Sequence, residues 1–428
     1  FSRLDPMADP ADDPTSKHPE DNSNRKRCYK ASLVIAVSIV LMAIIILFAS
    51  FILFSSSEDP EIAGFTLHSD AEEQRLRHLV DEMNLFLQWK AEYNPFAAIS
   101  GRHQNSEPDY SSLKLAGLDV NDSVQQRLVA DTESHARMLA NLNLTLPESF
   151  DAREKWSQCW SVHQIANQGG CGSCWAAAAT SMMSDRLCIS SNFTRQSMVS
   201  IEDLVSCCDY CGGCGGTTFS LIPLLYFNLT GVVTGGGYGS SEGCRPYSIN
   251  ATCGAPCAPS YFDVKKTPIC HKRCQRLYNK EYEQDLIKAR SVYWLAMSYG
   301  YYHNMYSYEA IIALNRGNRG QYIGQRLVPD DDLAKRDIFL NGPAMLCMFS
   351  TEAFLHYKSG IYSTPTGVFN EDLSYGHCMK VLGWGKEGEE YWLVANSWGR
   401  KWGDNGFAKV SMKIRADSEY FDITAALI

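Results

Sequence analysis

Of the 16 cysteines in this chain, all but Cys28 follow residue 54, and most crowd between Cys159 and Cys274. Nothing else in the sequence limits the fold as much. In an oxidising compartment such cysteines become cross-links, and the fold must bring each pair together. Cys171 and Cys174, in NQGGCGSCWAAAAT (167–180), stand out by their spacing. C-x-x-C alone allows a redox pair, half a zinc site, or two cysteines with separate roles. A redox pair calls for a strand before it, and no strand pattern precedes Cys171. A zinc site calls for a second matching pair. SCCDYCGGCGG (206–216) holds so many cysteines that disulfides explain them better. No metal site and no cofactor are expected.

The run ASLVIAVSIVLMAIIILFASFILF (31–54) carries no charge and is long enough to cross a bilayer as one helix. Arg25, Lys26, Arg27 and Lys30 precede it, and Glu58, Asp59 and Glu61 follow it. That asymmetry puts residues 1–30 in the cytosol and the long C-terminal part in the lumen or outside. A cleaved signal peptide would have a shorter apolar core and a shorter leader, so a signal anchor is the preferred reading. The sequons at Asn121, Asn143, Asn192, Asn228 and Asn250 all follow the run, as do the other cysteines. Cys28, beside the run, is read as an idle thiol rather than a palmitoylation site. A net charge of −9 disfavours a nucleic-acid partner.

Residues 1–30 are polar and read as a disordered tail. In AEEQRLRHLVDEMNLFLQWKAE (71–92), Leu76, Leu79, Val80, Met83, Phe86 and Leu87 trace a helical face. Residues 100–145 are polar with little periodicity. The texture changes at Leu146. A segment rich in tyrosine and arginine runs from Tyr278 to Asp332 and fits no clear pattern. Residues 337–428 alternate like strands, as in YWLVANSW and GFAKVSM.

The neighbours of Cys174 favour a nucleophile. Ser173 suits a helix cap, and Trp175 to Met183 is a good helix former. Cys174 would then sit at a helix N-terminus, where the dipole and free N–H groups favour thiolate. Gln168 is close enough in sequence to donate to an oxyanion. His377, in SYGHCMKVLGWG, is a candidate base, and Asn396, in YWLVANSWG, can fix its ring and tautomer.

These motifs resemble the papain family of cysteine peptidases, and within it the cathepsin B branch. The cysteine loop has the family's C-G-S-C-W form. LPESFDAREKWSQC (146–159), GCRPYSI (243–249), TPICHKRC, NGPA, YKSGIY, GHCMKVLGWG, YWLVANSWG and WGDNGF continue the likeness in order. The resemblance implies an α+β, two-lobed fold, a helical lobe and a barrel-like β lobe with the cleft between, over residues 146–428. It implies Cys174 as nucleophile with a lowered pKa, His377 as base and then acid, Asn396 as its orienter, and Gln168 with the Cys174 N–H as oxyanion hole. Trp398 would cover the His–Asn hydrogen bond and, with Gly215, Gly216, Gly376, Cys378 and Asp422, border the substrate. It also implies disulfides Cys159–Cys188, Cys171–Cys214, Cys207–Cys270, Cys208–Cys211, Cys244–Cys274 and Cys253–Cys257, leaving Cys347 and Cys378 as buried thiols. LQWKAEYNPF (87–96) and SSLKLAGL (111–118) resemble a propeptide, so residues 55–145 are expected to be an inhibitory stalk.

Several features depart from that pattern. His377 follows Cys174 by about 200 residues, against roughly 130–150 in the family. Thr217 ends the substrate-binding strip where glycine is usual. Cys378 would narrow the pocket for the side chain two residues before the cut, and Asp422 stands where an acidic residue would admit a basic one. Only Gly254, Ala255 and Pro256 separate Cys253 from Cys257, so the cathepsin B loop with its carboxylate-binding histidines is missing. The expected function is a lumenal endopeptidase, membrane-anchored as a precursor and lysosomal or secreted when mature. The alternative is a non-catalytic relative used in adhesion or matrix binding.

Overall fold

The runs AMLCMFS and CMKVLGWG are buried along nearly their whole length, which suits strands covered on both faces. They lie in β4 (Ala344–Ser350) and β7 (Tyr375–Glu387), which pair antiparallel at the centre of an eight-stranded sheet. On one side follow β10 (Phe421–Leu427) and β3 (Ser291–Met297); on the other, β8 (Glu389–Ala395), β9 (Phe407–Ser411) and β6 (Ile361–Tyr362). The short β2 (Phe150–Asp151) adds to β7. This is a computed structural model, and it describes residues 70–94, 122–217, 220–250, 266–297, 331–364, 375–414 and 421–428. The expected tail, the apolar run 31–54, Cys28, the 111–118 motif, Asn121 and the Cys253–Cys257 pair lie outside the described residues.

The sheet separates two apolar cores. Along β4, Leu346 and Met348 enter one, while Met345 and Cys347 enter the other, as a period of two requires. The first core holds Trp384, Trp392 and helix α6 (Asp331–Asn341). The second holds α3 (Cys174–Ser190), α4 (Ile201–Cys207) and α5 (Leu221–Leu229). Every residue of α3 from Trp175 to Cys188 is buried. The alanine run makes this possible, because small side chains let a central helix touch neighbours all round. Its buried charges are paired: Asp185 meets Lys380 at 2.7 Å, and Arg186 meets Asp337.

Two described stretches ahead of Leu146 pack onto the sheet. In α1 (Asp70–Phe86), Leu76, Val80 and Met83 are buried, but Phe86, expected on the same face, is exposed. Trp89 then enters the first core between Tyr357 and Tyr362. β1 (Lys90–Ala91) pairs with β5 (Tyr357–Ser359). The stretch read as aperiodic contains the 20-residue α2 (Asp122–Asn141), which packs on β3 and α6. The sequence hides it because its buried positions include the polar Thr132 and His135. His135 stacks on Tyr293 at 3.8 Å and its Nε2 lies 2.7 Å from Asp337 Oδ1.

Cys159–Cys188, Cys171–Cys214, Cys207–Cys270, Cys208–Cys211 and Cys244–Cys274 are bonded. One expectation is overturned: Cys347 and Cys378 are not thiols but a disulfide. They are register partners on β4 and β7, with Cα atoms 4.1 Å apart, just under the separation usual for such a bond.

Candidate active site

Cys174 opens α3 and is the free cysteine of the described chain, half-buried. The loop before it is fixed by the Cys171–Cys214 disulfide and by Gly172 N–H donating to Cys214 O at 3.0 Å. A Cβ on Gly172 would stand 2.5 Å from that carbonyl, so only glycine permits the approach. Ser173 holds the N-cap position but makes no capping bond. Its hydroxyl pairs with Tyr247 OH at 2.9 Å, and Tyr247 OH donates to Gln168 O. The cap expected of Ser173 is thus replaced by a tie between two segments of the loop and Tyr247.

β7 carries His377, which is buried. Its Nε2 lies 2.8 Å from Asn396 Oδ1, and Ser397 N–H donates to the same oxygen at 2.7 Å. An amide oxygen only accepts, so the proton sits on Nε2 and leaves Nδ1 free to accept. Trp398 stacks on the imidazole at 4.4 Å with 29° between the planes, and is itself buried. Gln168 Nε2 donates to Cys171 O at 2.9 Å, while Ser397 Oγ donates to Gln168 Oε1 at 2.7 Å. One hydrogen of the Gln168 amide remains for another acceptor. Ser397 and Tyr247 were not singled out from the sequence. Ser397 sits between Asn396 and Trp398 in NSWG, and Tyr247 sits in GCRPYSI; those two motifs were the available signals.

The electrostatics differ from expectation. Burial pushes the Cys174 thiol up, although N–H groups of Cys378, Trp175 and Cys174 itself work against the shift. Burial pulls His377 down to about 4, against the support of Asn396. Burial disfavours the charge on both groups, because protein has replaced the water that would hold it.

Around this centre, Gly215 is exposed, Gly216 is half-buried at φ 94°, and Gly376 is exposed. Thr217 does not need a left-handed backbone, so the lost glycine imposes no strain there. Cys378 faces α3 as part of its disulfide. Asp422 is fully buried, with Ser220 Oγ donating to its Oδ2 and no partner on Oδ1. Burial pushes its carboxyl up to about 7. Of the sequons, Asn143 and Asn192 are exposed. Asn228 is committed elsewhere: its Nδ2 donates to Ala289 O and Arg290 O, and a glycan on that nitrogen would take one of its two hydrogens and so cost one of these bonds. Among the described residues no cluster of metal-ligating side chains occurs, and no helix is long and apolar enough to cross a membrane.

The description "Papain family cysteine protease" belongs to the family model that matches residues 146–421. The chain belongs to that family. It is 34% identical over 293 residues to cathepsin B-like cysteine proteinase 1 of Ostertagia ostertagi, covering 67% of this chain and 74% of that one. It is 33% identical over 361 residues to the cathepsin B-like cysteine proteinase of Schistosoma japonicum, covering 83% and 92%. Among solved structures, procathepsin B S9 from Trypanosoma congolense aligns with a TM-score of 0.52 and 25% identity, covering 85% of this chain and 99% of the other. The protein is a cathepsin B-like cysteine peptidase, and a non-catalytic adhesion role is not favoured.

Proposed function

We propose that this peptidase is an endopeptidase whose nucleophile is Cys174. The observation that carries the reading is the His377–Asn396 bond under Trp398, on a strand packed against the helix that Cys174 opens. Nδ1 of His377 takes the thiol proton, and the sulfur attacks the peptide carbonyl. The Gln168 amide and the Cys174 N–H hold the oxyanion. His377 returns the proton to the leaving amine, and water then opens the thioester. Asn396 keeps the ring in its plane, and Trp398 excludes water from that bond. Gly215, Gly216 and Gly376 leave room for the substrate backbone.

Endopeptidase action is favoured by the short Cys253–Cys257 interval, which carries no His, Lys or Arg to hold a terminal carboxylate. Residues 55–145 act as the inhibitory segment. The β1–β5 pairing and the buried face of α2 support this, since both fasten that segment to the catalytic part. The charge-free run 31–54 anchors the precursor with its catalytic part in the lumen, where Asn143 and Asn192 are open to glycosylation.

Two peptides of one sequence, one with a free C-terminal carboxylate and one amidated, test the mode of cutting. Equal cleavage at internal bonds is expected. Stepwise release of C-terminal dipeptides from the free acid alone would overturn it.

A further inference from the structure

The side-chain amide of Asn396 is fastened at one end only. Its Oδ1 pairs with the imidazole Nε2 of His377 and accepts from the N–H of Ser397. Its Nδ2 is buried and donates to no protein group. Turning the amide over gives no relief, because Nδ2 would then face the Ser397 N–H, donor against donor. A buried donor without an acceptor is costly. Here it belongs to the side chain that orients the catalytic ring.

Asn396 lines a small cavity of about 10 Å³ between α3, β7 and the end of β8. Ala177 and Ala178 form its wall on the helix, and their short side chains leave the space. Ser181 and Gln164 bring further polar side chains to the lining, as does Lys380, whose ammonium is committed to Asp185. One water needs on the order of 10–15 Å³ and two to four polar partners. A wholly apolar cavity of this size would stay dry; this one has a donor in want of an acceptor on its wall.

We propose that one buried water occupies this cavity, accepting from Asn396 Nδ2 and donating to Ser181 Oγ, and that Ser181 is thereby a positioning residue for the hydrolysis. The inference rests on the peptidase reading above and adds a residue to it. Ser181 lies seven residues after Cys174 on α3, about two turns along the same face. The water therefore ties Asn396 to the helix that carries the nucleophile. With it in place the amide is held at both ends, oxygen by His377 and Ser397, nitrogen by the water. Without it the amide is freer to turn, since the terminal torsion of Asn is broad and roughly two-fold. A turned amide presents N–H to Nε2 of His377. The ring proton then moves to Nδ1, and Nδ1 no longer accepts the proton of the thiol.

The test has a direct arm and a functional one. A high-resolution crystal structure of the processed enzyme should show a single water about 3 Å from Asn396 Nδ2. Ser181→Ala should lower kcat by about tenfold, the scale of one hydrogen bond, with KM unchanged. Ser181→Thr, which keeps the hydroxyl, should retain the parental kcat. Nitrogen-15 labelling of histidine, in Cys174→Ala protein, reads the His377 tautomer, which a loss of stability alone would not move. The Nε2–H form should dominate there, and adding Ser181→Ala should raise the share of the Nδ1–H form. Should Ser181→Ala not fold, Ala178→Val takes its place, since its extra methyl groups displace the water; the same fall in kcat and the same tautomer shift are expected. A cavity without density for a water, or parental kcat and tautomer in the folded variant, overturns the proposal. An enzyme that cuts no peptide removes the peptidase reading, while the crystal structure still decides whether the water is there.

Discussion

Asp185 and Lys380 meet at 2.7 Å with almost no exposure to water, one on the helix that begins with Cys174 and the other on the strand that carries His377. The approach lies off the line of a well-aligned hydrogen bond, so the attraction is mainly one of charge. The pair ties nucleophile helix to imidazole strand from behind. Removing one partner leaves a bare buried charge. Asp185→Ala or Lys380→Ala should each cost about 3–5 kcal/mol in urea unfolding. Asp185→Leu/Lys380→Met should lie closer to the wild-type stability than either. Equal losses in all three would show that the charges do not interact.

The catalytic assignments separate reacting from orienting groups. Cys174→Ser should abolish hydrolysis with an unchanged melting temperature. Asn396→Ala should lower kcat by about a hundredfold and leave measurable turnover, because the ring loses its orientation but keeps its nitrogen. Substantial activity in Cys174→Ser protein would remove Cys174 from the reaction.

Asp422 should leave a signature in stability against pH. Burial raises its carboxyl to about 7 in the folded protein, whereas an unfolded aspartate titrates near 4. The folded state therefore binds this proton more tightly. Its contribution is fully present below about pH 4, is lost as pH rises toward 7, and changes little above that. Between those limits Asp422→Asn should gain on the wild-type protein by on the order of 2–4 kcal/mol. Parallel stability curves for the two proteins would show that the carboxyl is not held neutral.

His135 lies on α2, ahead of Leu146, and so bears on the proposed precursor. Its ring lies between Tyr293 and Asp337, where burial opposes the Asp337 charge and Arg186 and His135 together overcome it, holding that carboxyl well below its usual range. His135→Ala should destabilise the precursor by about 1–3 kcal/mol through the lost contact. If cleavage near Leu146 removes α2, the matured enzyme should melt as the wild type does. A shift retained after maturation would mean that α2 stays bound.

What was legible in the sequence followed from local chemistry. The loop around Cys174, the strand end at Asn396 and the apolar alternation near the C-terminus each carry their own instructions, and the structure brings those residues together. Register was not legible. Nothing near Cys347 says that it will stand opposite Cys378, because that depends on how β4 and β7 slide past each other. Helix α2 was missed for another reason: its core-facing Thr132 and His135 find partners only in Trp294 and Asp337, far along the chain. The push of burial against charge on Cys174 and His377 is likewise a product of assembly, since no motif encodes burial.

Phe150 and Asp151 lie against Trp384 and Gly383, on the strand that also holds His377. Gly383 has no space to spare, since a Cβ there would meet Phe150 O at 1.9 Å. The Pro147 carbonyl takes the indole N–H of Trp384 at 3.1 Å. A peptidase in solution with its own kind is cut wherever its chain hangs loose. An end created near Leu146 is stitched almost at once into the sheet, so trimming meets resistance within a few residues. Erosion beyond Phe150 would strip the short strand from the far end of the strand that carries His377. If cleavage near Leu146 frees the enzyme, its new end is held at this seam, and loss of chain should begin there before the cleft itself fails.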